Sequence, residues 1–180
     1  VLNRQTWWPV RPGMHPHKDV RKLMVVVAED RASHIWDKLE KDPQYRALAQ
    51  SIWAQRFSLK GGDESPANLR KKIDEQITRA AVAVAKLHKR TVEVIFVRTP
   101  SAENYLAFEN EVFPRAKTWD VLLAKTGAPG VHFQDHPELQ GFWLPEWSHL
   151  AAGDAVRFTD ALYRIIQRDV EPRTRRIAKR

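Results

Sequence analysis

The sequence predicts an α/β domain, and three observations carry that prediction. Two apolar, β-branched runs, Leu23–Ala28 and Thr91–Arg98, have the length and composition of strands. Between them, Leu69, Ile73, Ile77, Ala80, Val84 and Leu87 recur at three- and four-residue spacing, the stripe of a long amphipathic helix. Helix-like and strand-like patterns then alternate along the chain, which is the pattern of α/β proteins with a mainly parallel sheet.

Taken in order, residues 1–22 hold three prolines, a glycine and no period, and read as an extended arm carrying Trp7 and Trp8. Leu23–Ala28 suits a strand buried on both faces. From Ala32 to Leu59 the pattern is helical, interrupted at Asp42-Pro43, with Tyr45, Leu48, Ile52, Trp53 and Phe57 on one stripe. Ser65-Pro66 starts the long helix, a side-chain cap followed by proline at the first helical position. That helix feeds directly into Thr91–Arg98, as in the second half of a β-α-β crossover. Ser101 can cap a helix carrying Tyr105, Phe108 and Val112, ended by Pro114. A short helix, Trp119–Ala124, is closed by Gly127, and Gly130–Asp135 reads as a short strand. A long loop leads to the last helix, where Ala155, Phe158, Leu162 and Ile165 line one face and Asp154, Arg157 and Asp160 another. The organisation expected is an arm (1–22), one α/β domain (23–167) and a basic tail (168–180).

Charge and composition narrow the function classes. The net charge is +8, but residues 1–22 and 168–180 each contribute +4 and the 145 residues between them are neutral. A nucleic-acid-binding domain carries its basic excess along a folded face. Here it sits at the two ends, which fits an anionic surface or an acidic protein partner, or simply solvated tails. No apolar run approaches the roughly 18 residues of a membrane span. The absence of cysteine excludes disulfides, zinc-thiolate sites and cysteine nucleophiles. No cofactor or metal spacing stands out; His15 and His17, split by Pro16, read as surface histidines.

The chemistry concentrates in Leu144-Pro-Glu-Trp-Ser-His-Leu150. Glu146 precedes His149 by three residues, in a loop with Trp143 and Trp147, just ahead of the last helix. A histidine can act as a general base when an acid holds its other ring nitrogen. Two more segments belong at the carboxyl ends of the strands, where open α/β sheets bind ligands. These are Glu29-Asp30 and Arg98-Thr-Pro-Ser101, in which Arg98 would face an anionic or carbonyl-bearing substrate and Ser101 is a hydroxyl after a strand. The competing reading makes Glu146 and Ser148 caps of the final helix and His149 an ordinary residue at its start.

The order strand, long loop, acid-x-x-His-Leu and terminal amphipathic helix resembles the carboxyl-terminal block of the SGNH (GDSL-like) hydrolase superfamily. The likeness covers roughly residues 66–170, and its specific motif is Glu146-Trp-Ser-His-Leu150. It is nearest to SGNH-like proteins that modify bacterial cell-envelope polymers. The resemblance implies a three-layer α/β/α, flavodoxin-like domain, an ester-bearing substrate such as an envelope polymer, and an extracytoplasmic or membrane-associated place. It also implies His149 as base and Glu146 as the acid that orients it, in an esterase or O-acyltransferase using a serine. Two features depart from the family. The acid is glutamate rather than aspartate, and no Gly-Asp-Ser nucleophile block follows the first strand; Gly61-Gly-Asp-Glu-Ser65 lies between helices, and Ser65 is a cap. The expectation is therefore an incomplete SGNH-like domain whose nucleophile lies outside these residues. The alternative is a non-catalytic binding or assembly subunit docking through its aromatic arm and basic termini.

Overall fold

The computed structural model describes residues 25–27, 29, 31, 33–58 and 65–170. The arm with Trp7, Trp8, His15 and His17, Asp30, the glycines at 61 and 62, and residues 171–180 of the basic tail lie outside the described residues. The described chain is a mixed α/β structure, mostly helical, with two small two-stranded sheets.

The first sheet is a hairpin. Strand β1 (Val25–Val27) pairs antiparallel with β2 (Ser33–Ile35), Val25 opposite Ile35. This corrects the expectation of a doubly buried strand in a parallel sheet, since Val26 and Val27 are 41% and 64% exposed. A partner six residues away closes a short loop and is reached at little entropic cost. Because residues 33–35 belong to this hairpin, the helix expected from Ala32 starts later, as α1 (Lys38–Lys41). The Asp42-Pro43 interruption has a clear cause. The Asp42 carboxylate accepts from the backbone N–H groups of Gln44 and Tyr45, both at 3.0 Å, and so caps α2 (Pro43–Ser58). Leu39 and Ala49 form a small core with Val25, Ile35, Tyr45, Ile52 and Trp53 around them.

Helix α3 (Pro66–His88) begins as its sequence dictates: Ser65 Oγ accepts from the Asn68 N–H at 3.2 Å, with proline at the first helical position. Ile77 and Val84 are its most buried residues. Residues 92–95 have no regular secondary structure, and the strand is confined to β3 (Phe96–Arg98). It pairs in parallel with β4 (Gly130–His132), with Arg98 opposite His132. The chain between them carries α4 (Glu103–Val112) and α5 (Trp119–Thr126), the latter packed on α3. The crossover thus runs through α4 and α5 rather than through α3, because β1 has already found its partner locally.

The main core forms where β4 meets the last helix, α6 (Ala152–Ile165). Val131, Phe133, Leu139, Phe158, Ile165 and Val170 are all buried there. A π-helical turn at Ile166–Val170 carries Val170 into this core. Asp154 is buried at the helix start. Among the described residues, no helix is long and apolar enough to cross a membrane.

Gly130 of β4 is packed closely against α5. A Cβ there would lie 2.7 Å from a Trp119 ring carbon and under 3 Å from both Leu123 methyl groups. Replacing Gly130 with alanine is expected to destabilise the fold by about 1–3 kcal/mol through overpacking. Gly153 faces open space in α6. Gly153→Ala is expected to be neutral or stabilising by up to about 1 kcal/mol. Urea denaturation of the two variants measures both effects.

Candidate functional site around Glu146 and His149

The loop from Trp143 to Ala151 is tied at its neck and along its length. The Ala151 N–H donates to the Trp143 carbonyl at 2.9 Å, and the Trp147 N–H to the Leu144 carbonyl at 3.0 Å. Three other elements hold it from outside. Gln50 on α2 donates to the Pro145 carbonyl at 2.8 Å. The Ala102 N–H donates to the Trp147 carbonyl at 2.9 Å, and Trp147 Nε1 donates to Glu103 Oε2 at 2.9 Å. Glu103 and Trp147 each have left-handed backbone, φ 45° and 74°. Such strain, of order 1–3 kcal/mol per residue, persists only where surrounding bonds over-determine the conformation. Here the two strained residues are bonded to each other.

These ties place Glu146 in the interior, with no solvent exposure at all. Its carboxylate would be costly there without partners. Three donors meet it: Trp53 Nε1 at 2.5 Å and Ser148 Oγ at 2.8 Å on Oε2, and His149 Nδ1 at 2.6 Å on Oε1. An ionised carboxylate can only accept, so the His149 nitrogen facing it carries the proton. In the neutral ring the lone pair is then on Nε2. That atom has no hydrogen-bond partner among the described residues, and the His149 side chain is 47% exposed. Glu146 also favours the charged imidazole, which raises the His149 pKa above its ordinary 6.5 against the opposing effect of burial. The arrangement is an imidazole held from one side by Glu146, with no hydrogen-bond partner on Nε2 among the described residues.

The capping role considered for Glu146 and Ser148 is filled by other residues. Helix α6 starts at Ala152 with no capping side chain of its own, and its first N–H is taken by Glu40 of α1, Ala152 N to Oε1, at 2.8 Å. Asp154 turns back to accept from the Trp143 N–H at 2.6 Å and pairs with Arg157. That backbone bond, more than the Arg157 charge, holds the Asp154 carboxyl below its usual range.

Arg98 and Ser101 are brought together, though in a cluster of their own. Arg98 Nη2 donates to Glu109 Oε2 at 2.6 Å and to Ser101 Oγ at 3.0 Å, and Ser101 Oγ donates to Glu109 Oε2 at 2.5 Å. Ser101 is buried and does not cap α4, whose N-cap is Ala102 without a side-chain bond. The hydroxyl is drawn to the Glu109 carboxylate, a charged acceptor, in preference to backbone N–H groups. Neither residue bonds to Glu146 or His149; the link is the Ala102–Trp147 backbone bond. Among the described residues, no three histidine, aspartate or glutamate side chains converge on a metal position.

Sequence reasoning missed two partners. Trp53, 93 residues from Glu146, was legible only as one member of an apolar stripe. Glu109 likewise carried no local signal for Arg98. Trp53→Phe keeps the ring and removes one donor from a sealed carboxylate, and is expected to cost about 1–3 kcal/mol in urea denaturation. The pH dependence follows from the raised His149 pKa. Its contribution to stability is complete below pH 6.5, the unfolded value, and is lost as pH rises through the folded value. Glu146→Gln is expected to lower the His149 titration midpoint, followed by NMR of the ring Cε1–H, and to narrow that pH window.

Against this geometry, comparison with known proteins finds no matching family model, no matching curated protein and no matching solved structure.

Proposed function

We propose that the Glu146–His149 pair is the acid and base of an SGNH-like ester hydrolase or acyltransferase. The observation that carries this reading is the 2.6 Å contact between the sealed Glu146 carboxylate and His149 Nδ1, which leaves Nε2 as the lone-pair nitrogen on an exposed ring. In this reading the parallel pair β3–β4 and its helices are part of a three-layer, flavodoxin-like arrangement.

The chemistry runs as an acyl transfer. His149 Nε2 takes the proton of a serine hydroxyl as its oxygen attacks the ester carbonyl. The imidazolium, stabilised by Glu146, returns that proton to the departing alkoxide, and the acyl group stays on the serine. Water or an acceptor alcohol then loses its proton to Nε2 as its oxygen bonds to the acyl carbon, and the imidazolium returns a proton to the departing serine oxygen, which frees the serine and releases the acid or the new ester. The serine comes from outside the described residues. Ser148 touches Nδ1, at 3.0 Å, rather than Nε2, and Ser101 is engaged with Glu109. The substrate class is an ester, and a cell-envelope polymer bearing such esters fits the motif's resemblance.

A second reading, a non-catalytic subunit that docks on an anionic surface, draws on the absence of a hydroxyl at Nε2 among the described residues and on the +4 charge at each end. Cosedimentation with anionic vesicles that weakens steeply with salt supports that reading.

The catalytic reading is tested by turnover of a short-chain aryl ester. His149→Ala is expected to lower kcat/KM by about 100-fold or more, the scale of general-base catalysis. In Glu146→Gln the rate is expected to fall while its rising limb moves to lower pH, since activity needs the neutral ring. Unchanged turnover in His149→Ala overturns the proposal.

A further inference from the structure

A cavity of about 420 Å³ opens at the carboxyl ends of β3 and β4, and neither Glu146, Ser148 nor His149 lines it. Its volume falls in the range of small-molecule sites, which are mostly apolar with a few placed polar groups. Here the apolar wall comes from Ile73 and Ile77 of α3, Leu106 of α4, and Trp119 and Leu122 of α5. The arginines that line it are already paired. Arg98 holds Glu109 at 2.6 Å, and Arg115 holds Asp135 at 2.6 and 2.8 Å and Asp120 at 3.3 Å. Each guanidinium thus brings its own counter-ion and offers a ligand no uncompensated charge. The Thr118 hydroxyl is turned back onto the Phe113 and Pro114 carbonyls, and Lys72, Gln76, Asn110 and Gln134 stand at exposed positions.

Among the described residues that line the cavity, His132 is the buried polar one, 6% exposed. Phe133 stacks on its ring at 5.3 Å and Trp119 meets it edge-on at 5.3 Å, so the ring plane is held. Its Nδ1 accepts from the Gln134 N–H at 3.3 Å, which leaves the ring proton on Nε2. Burial first, then the charge of Arg115, holds its pKa below the ordinary 6.5, so the ring is neutral at pH 7. Nε2 has no hydrogen-bond partner among the described residues, yet none of their buried side-chain nitrogens or oxygens is left unsatisfied. The Nε2–H therefore keeps an opening to solvent, and the space that His132 lines is this cavity.

We propose that this cavity binds a small uncharged molecule, its apolar or aromatic body among Ile73, Ile77, Leu106, Trp119 and Leu122 and one carbonyl-type oxygen accepting from the His132 Nε2–H. Neutrality follows from the pairing of the charges. A carboxylate or an ammonium would leave water for a wall that is mostly apolar and whose arginines carry their own counter-ions, with one neutral donor in exchange. A hydrocarbon would fill the apolar part and strip water from the imidazole N–H without replacing it. One acceptor on an apolar body satisfies both parts of the wall. This site shares no lining residue with the Glu146–His149 pair and stands apart from the acyl-transfer proposal.

Titration of the full chain with 4-phenyl-2-butanone, propylbenzene and 3-phenylpropionate, followed by NMR of the labelled protein, tests it. The ketone is expected to bind one-to-one, and the carboxylate of nearly the same shape at least about tenfold more weakly, the scale of burying a charge on a single neutral donor. His132→Phe keeps an aromatic ring and removes the donor. It is expected to weaken the ketone about fivefold, the scale of one neutral hydrogen bond, and to leave propylbenzene no weaker. Leu122→Trp, which fills the apolar end, is expected to abolish binding of both. In the unaltered protein the ketone is expected to move the His132 Nε2 resonance and leave that of His149 in place, a readout independent of how either variant folds. No ketone binding, a carboxylate bound as tightly as the ketone, an equal loss of ketone and propylbenzene in a folded His132→Phe, ketone binding retained in Leu122→Trp, or an unmoved His132 signal at saturation each overturns the proposal.

Discussion

The Glu146 carboxylate sits where three parts of the chain meet, and its need for donors shapes all three. Charge that is removed from water must be met by hydrogen bonds, so helix α2 has to present Trp53 and the loop has to fold Ser148 and His149 back onto the same two oxygens. The bonds around it, Gln50 to Pro145 and Ala152 to Glu40, join the α1–α2 unit to the β4–α6 core. One buried acid thereby couples two small hydrophobic clusters, centred on Leu39 and on Ile165, that share no core residue.

The same constraint explains the strain next to it. Trp147 adopts left-handed backbone so that Glu146 can point inward while its neighbours Ser148 and His149 turn toward the same carboxylate. Its indole is then anchored on Glu103, itself in the left-handed region at the first turn of α4. A loop that depended on packing alone would relax to an easier conformation. This one is held by hydrogen bonds from α2, from the β3–α4 turn and from its own neck. The β3–α4 turn also carries Ser101, so the Arg98–Ser101–Glu109 cluster lies next to the Ala102–Trp147 backbone bond that holds the loop.

Much of the fold was legible from local chemistry. Ser65-Pro66 marks the start of α3 because a hydroxyl and a proline solve the first-turn donor problem within four residues. Asp42-Pro43 breaks and restarts a helix for the same reason. Gly127, at φ 66°, ends α5 where only a residue without a Cβ is comfortable. The Leu23–Ala28 run was misleading because apolar β-branched residues specify an extended chain but not which strand it pairs with or how deeply it is buried. Helical periodicity put Asp154 off the apolar face of the last helix but could not show that the preceding loop folds over it, with the Trp143 N–H donating to its carboxylate.

The sequence by itself determined the mixed α/β class, the starts of α2 and α3, the end of α5, and the pairing of an acid with a histidine three residues on, since all of these depend on groups within a few residues of one another. The tertiary structure decided that Glu146 is sealed rather than solvated, that Trp53 completes its shell, that β1 turns back on β2, and that Arg98 meets Glu109. Those outcomes depend on distances between residues far apart in the chain, and on the rule that a buried charge must find its partners wherever the fold brings them.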